Sequence, residues 1–175
     1  GVDWLLDHPR GLLADDMGLG KTIQTISAMR ILFNTGDISN ALVVCPTSLT
    51  NNWERELLEW APELSFARLA PPANIKNEVW KSMYGRVHVI ITNYEHLRNL
   101  PQIIDSNPGD LLICDESHRI RNFRSQIARG IRGLQTEFLW ALSGTPLERD
   151  KEDLIALLVL LAPTVYSVAD LSLIH

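Results

Sequence analysis

Five short apolar runs punctuate the chain: "GLLA" (11–14), "ALVVC" (41–45), "VHVIIT" (87–92), "LLIC" (111–114) and "FLWALS" (138–143). A strand with one wet face alternates apolar and polar residues. Runs without that alternation belong to strands covered on both faces. Between them lie stretches of helical length, at about 21–33, 49–60, 74–83, 94–98, 123–133 and 151–161. Strand–helix alternation of this kind predicts an α/β fold, a mostly parallel central sheet with helices on both faces. "RLAP" (68–71) reads as a further short strand. In 49–60, Leu49, Trp53, Leu57 and Trp60 recur at helical spacing and read as a core-facing stripe. Breakers fall between the elements: Gly36, Pro62, "APPA" (70–73) and "NPGD" (107–110).

At 175 residues, with 46% hydrophobic and 21% charged residues, the chain has the length and composition of one globular domain. The most apolar stretch, "LIALLVLLAP", is far short of the roughly 18 residues that a membrane-spanning helix needs. Cys45 and Cys114 each close an apolar run, which predicts buried strand-end thiols in a reducing compartment. The net charge of −5 argues against a nucleic-acid domain recognised by charge alone. Charge is nevertheless uneven, with five arginines and no acid from Arg119 to Arg132, either a solvated helix face or a surface for a polyanion or partner. Both ends look cut, which predicts a fragment of a longer protein.

In such sheets ligands bind at the carboxyl ends of the strands. "GLGKT" (18–22) follows the first apolar run and opens a helix, the context a phosphate loop requires. Gly18 and Gly20 let backbone N–H groups turn toward an anion, and the helix N-terminus adds partial positive charge. Lys21 would reach the β- and γ-phosphates of a nucleotide, and the Thr22 hydroxyl would ligate Mg²⁺. The strict pattern G-x-x-x-x-G-K-[ST] fails at its first position, where Asp15 stands. The second acidic feature, "LLICDESH" (111–118), delivers Asp115 to the same sheet edge. Asp115 is the candidate partner of Thr22 at the metal, since Mg²⁺ prefers carboxylate and water oxygens. Glu116 would orient or deprotonate an attacking water.

With these residues in place, the chain resembles the Swi/Snf-type DNA translocases of helicase superfamily 2. "ADDMGLGKT", "LVVCPTSLTNNW", "VIITNYEHL", "DESHRIRN" and "LSGTPLERD" occur in that family's order and spacing, from Gly1 to about Pro163. The resemblance implies a P-loop RecA-like three-layer sandwich over residues 1–175, the N-terminal lobe of a two-lobed motor. It also implies ATP and Mg²⁺ as cofactors and double-stranded DNA as partner, gripped by its backbone rather than its bases. The second RecA-like lobe with its arginine fingers and the family's adenine-reading glutamine motif have no counterpart in these residues. The implied setting is an intracellular, DNA-containing compartment, nucleoid or nucleus.

Residue by residue, the family's pattern makes Lys21, Asp115 and Glu116 catalytic and Gly18, Leu19, Gly20, Lys21 and Thr22 nucleotide-binding. His118, Ser143 and Thr145 would link nucleotide state to DNA grip. Thr47, Ser48, Thr92 and Asn93 would contact the DNA backbone, although Thr47 or Ser48 also reads locally as a helix N-cap. Asp16 stands where the family more often has Glu, and "ERD" (148–150) departs from its pattern, so Glu148 and Arg149 receive no role. A carboxylate about 4 Å from a phosphate would cost roughly 4 kcal/mol at an effective dielectric of 20. Asp15 and Asp16 are therefore expected to turn their side chains away from the phosphates. Rival readings are another superfamily 2 motor, such as a restriction-type translocase or an unwinding helicase, and a nucleotide-gated scaffold that does not hydrolyse.

Overall fold

A computed structural model describes residues 1–69, 76–99, 109–120, 126–134, 136–144 and 151–162. Helix α1 (Val2–Asp7) leads into strand β1 (Arg10–Leu13), and the glycine loop then opens α2 (Lys21–Thr35). Strand β2 (Ala41–Cys45), helix α3 (Thr50–Trp60) and the short strand β3 (Phe66–Arg68) follow. Next come α4 (Lys76–Met83), β4 (Val89–Asn93) and β5 (Leu111–Cys114). Helix α5 (Gln126–Gly133), β6 (Phe138–Leu142) and α6 (Lys151–Leu161) complete the order.

The six strands form one sheet in the order β1-β6-β5-β2-β4-β3, and every neighbouring pair is parallel. Strand residues point alternately to opposite faces, and both faces are dry. Ala41, Val43 and Cys45 of β2 pack with Leu5 of α1, Ile26 and Met29 of α2, and Trp53 and Leu57 of α3. Leu42 and Val44 of the same strand pack on the other side with Trp80 of α4, Ile131 of α5 and Leu160 of α6. The three layers follow directly from the lack of polar alternation in the strand runs.

Two polar ties join ends of the chain distant in sequence. The Arg10 guanidinium donates to the carbonyls of Leu160, Leu161 and Thr136 at 2.9–3.0 Å, placing a cation on the C-terminus of α6. The Asp110 carboxylate accepts from the N–H groups of Ser39 and Asn40 at 2.6 and 3.3 Å, which aligns the starts of β2 and β5.

Several expectations change. The opening residues form helix α1, which no sequence signal announced. It is six residues long, without a side-chain cap, and is anchored by the buried Leu5. The third strand of the order lies at 66–68 rather than 68–71. Residues 94–99 form a 3₁₀ segment, and a one-turn 3₁₀ segment at Thr47–Leu49 precedes α3. The core stripe holds for Trp53 and Leu57, but Trp60, the last residue of α3, is exposed. Thr145, Glu148, Arg149, Arg121, Arg124 and the "APPA" turn lie outside the described residues.

Candidate active site

Because all six strands run the same way, their carboxyl ends share one edge. Strand β6 lies between β1 and β5, so the residues after β6 sit between the phosphate loop and the acidic turn. Gly144 marks the meeting point. A Cβ added there would lie 2.8 Å from Met17 Cγ, 3.6 Å from Lys21 Nζ and 3.9 Å from Glu116 Oε1. The lysine and the glutamate therefore flank one spot, two strands apart in the sheet and 95 positions apart in sequence.

The phosphate loop adopts the backbone its glycines permit. Gly18 has φ +86° and Gly20 φ +71°, the left-handed region that side chains with a Cβ rarely enter. Gly20 caps α2 at its N-terminus, and the space a Cβ would occupy at Gly18 is empty to 4 Å. Lys21 Nζ donates to the main-chain carbonyls of Asp15 and Asp16 at 2.8 and 2.9 Å. What the lysine meets in the acidic pair is thus backbone. The Asp16 side chain is exposed and that of Asp15 half-buried. Thr22 stands half-buried in the first turn of α2.

Asp115 directly follows strand β5, and its burial, at 8% exposure, decides its chemistry. Oδ2 accepts the indole N–H of Trp53 at 2.8 Å, and Oδ1 accepts the N–H of Glu116 at 2.9 Å. Its own N–H donates to the Val44 carbonyl, and its carbonyl accepts the Tyr94 hydroxyl at 2.7 Å. Burial raises the Asp115 pKa above the ordinary aspartate value and outweighs the Trp53 and Glu116 N–H bonds, which pull it down. The neighbouring Glu116 charge also raises it, and Lys21 lowers it, so lysine and aspartate feel one another across the edge. Glu116 has φ +50°, a strained left-handed conformation for a residue with a side chain. Its Oε2 lies 3.2 Å from His118 Nδ1.

Among the described coupling residues, Ser143 is buried and its N–H donates to the Leu13 carbonyl, while His118 faces Glu116. Thr47 and Ser48 are exposed at the end of β2. Neither caps α3, because Leu49 holds the N-cap position and no side-chain cap bond forms. The helix-cap reading therefore falls. Thr92 is 1% exposed, and its hydroxyl donates to the Leu69 carbonyl and meets His96 Nδ1, both at 3.2 Å. It is committed inside the protein. Asn93 is half-exposed and accepts the His96 N–H at 3.0 Å. Sequence reading missed Trp53 and Tyr94 as partners of Asp115 and Gly144 as the point of closest approach. A tryptophan N–H or tyrosine O–H inside an apolar stripe requires a buried acceptor, and that requirement was the available signal.

The fold and this edge define a parallel α/β lobe in which a glycine loop and an acidic turn share one end of the sheet. The family model for the SNF2-related domain matches residues 1–171, and the chain belongs to that family. Helicase swr1 of Emericella nidulans is 36% identical over 172 residues, 94% of this chain and 10% of that protein. The ISWI chromatin-remodeling complex ATPase ISW2 of Saccharomyces cerevisiae is 32% identical over 178 residues, 98% of this chain and 16% of that protein. The solved Sulfolobus solfataricus SWI2/SNF2 ATPase core in complex with dsDNA superposes with a TM-score of 0.84 at 30% identity. That match covers 93% of this chain and 34% of the solved one. The chain thus spans only a small part of the relatives it matches. Among the described residues no helix is long and apolar enough to cross a membrane.

Proposed function

We propose that this lobe binds and hydrolyses ATP as one half of a double-stranded DNA translocase. The observation that carries the reading is the convergence of Lys21 and Glu116 on Gly144, beside the Asp115 carboxylate. In use, Lys21 exchanges two neutral carbonyls for the β- and γ-phosphates, while the N–H groups of Gly18 to Thr22 line the cradle. The residues fit Mg²⁺: a hydroxyl at Thr22 and a carboxylate at Asp115 are hard oxygen donors, and the glycine loop leaves room for phosphate. Mg²⁺ is usually held by one or two carboxylates together with phosphates and water. When bound, Mg²⁺ would neutralise charge developing on the phosphates. Glu116 orients the attacking water and accepts its proton, and His118, Ser143 and Thr145 are the residues proposed to link nucleotide state to DNA grip.

DNA contact is assigned to Thr47 and Ser48, whose hydroxyls stand free of capping duty, and to Asn93. Thr92 acts by holding the β4 end together rather than by touching phosphate. The remaining half of the motor, a second RecA-like lobe, and a DNA-containing intracellular compartment belong to the same reading. It is supported by an ATPase core solved with dsDNA that shares this fold at 30% identity. Lys21→Ala tests it. Losing one charge-assisted contact to phosphate weakens ATP binding by about ten- to a hundredfold. Affinity equal to wild type, measured by titration calorimetry or fluorescent-nucleotide binding, would remove the phosphate-loop assignment.

A further inference from the structure

Asp115 is held at its side chain and at its main chain by two aromatic residues that come from other segments. The Trp53 N–H reaches Oδ2 at 2.8 Å across 62 positions of sequence, and the Tyr94 hydroxyl reaches the carbonyl at 2.7 Å across 21. Both rings are fully buried. Where packing is all that is required, leucine or phenylalanine would fill these positions without a polar group to satisfy. Here both polar groups aim at one residue.

The origin of each ring gives the arrangement its meaning. Trp53 lies in the first turn of α3, directly after the exposed Thr47–Ser48 turn. Tyr94 follows Asn93 at the end of β4. Each segment assigned to the DNA backbone is therefore one buried hydrogen bond away from the residue assigned to the metal. In a close-packed interior a small shift at either segment reaches its partner, because both rings are fully buried and solvent cannot readily take over the bond. A carboxylate offers about four lone-pair directions, so the Trp53 and Glu116 N–H bonds together leave Asp115 lone pairs for a cation.

We infer that Trp53 and Tyr94 are positioning residues that transmit DNA contact to Asp115, so that DNA engagement sets the rate of ATP turnover. This rests on the proposed function, and the test separates the two. ATP hydrolysis by the intact protein is measured with and without double-stranded DNA for wild type, Trp53→Phe, Tyr94→Phe and Lys21→Ala, together with thermal unfolding. Trp53→Phe keeps an aromatic ring and deletes the N–H; Tyr94→Phe deletes only the hydroxyl. In each, the ratio of DNA-stimulated to basal kcat falls about tenfold, the size of one lost buried hydrogen bond, while KM for ATP stays within about twofold of wild type. A merely structural loss would lower both rates together and leave the ratio unchanged. That result, with wild type stimulated by DNA and Lys21→Ala inactive, overturns the relay and spares the proposed function. A wild-type protein indifferent to DNA sinks both. If Trp53→Phe fails to fold, Tyr94→Phe decides, because its ring still fills the same space.

Discussion

A carboxylate that is to hold a divalent cation must stay available as an anion where burial works against charge. At Asp115 the indole of Trp53 and the N–H of Glu116 oppose the burial that raises its pKa, and Lys21 adds its field from the glycine loop two strands away. The adjoining residues show the strain this arrangement accepts. Glu116 takes up a left-handed backbone, and the Ser117 hydroxyl is buried with no hydrogen-bond partner among the described residues. A buried hydroxyl left unsatisfied costs about 1–3 kcal/mol. Ser117→Ala removes the group with little change of volume, so it is expected to raise stability by about 1 kcal/mol. In a domain of this size that corresponds to roughly 2–4 °C in Tm. Calorimetry or a thermal CD melt reads the shift. A lower Tm would mean that the hydroxyl has a partner in the folded protein.

The strand ends carry a pH dependence of their own. Cys45 closes β2 and Cys114 closes β5, and burial pushes both thiols up to about 12, with the Asp115 charge adding to each. An acid whose folded pKa lies above its unfolded value makes the unfolded state the weaker proton binder once pH passes that unfolded value. Stability is therefore untouched by these thiols below about pH 9. It then falls as pH climbs toward 12, by up to ~1.4 kcal/mol per pH unit for each thiol. Tyr94, raised well above its ordinary value by burial, acts in the same direction at higher pH. Urea unfolding across this window should show the decline, and a Cys45→Ala, Cys114→Ala double variant should flatten it. Equal slopes in the two proteins would show that the thiols are not buried. The sequence already carried this much: an apolar run covered on both faces is recognisable without knowing its neighbours, so five strands and their closing thiols were legible. Strand order was not, because β6 enters between β1 and β5 by pairing with a strand 129 positions earlier, and that insertion brings Gly144 to the site. Periodicity marked Trp53 as core, which it is, but it carries no information about where an indole N–H points. Helix α1 is too short to display a period at all.

At the scale of the whole molecule the site is one-sided. Everything proposed to meet the nucleotide comes from a single sheet edge: the glycine loop after β1, the acidic turn after β5 and Gly144 after β6. The loop also exposes Met17 at 74% and Leu19 at 58%, large apolar side chains beside the proposed phosphate site. Under the proposed function, a triphosphate resting on this edge would have its inner oxygens met by Lys21 and backbone N–H groups and its outer face turned away from the lobe. Charge that develops on the γ-phosphoryl group during transfer must be met from that outer side, and a cation supplied there is worth about 10³–10⁵ in rate. The 175 residues alone are accordingly expected to bind Mg·ATP weakly and to turn it over about 10³–10⁵-fold more slowly than the intact protein. Single-turnover hydrolysis at saturating nucleotide separates the two effects, because it removes the affinity difference and leaves only the chemical step. A matching single-turnover rate from the isolated residues would mean that the edge is catalytically complete. The two-lobed reading would then fail, even with the phosphate loop intact.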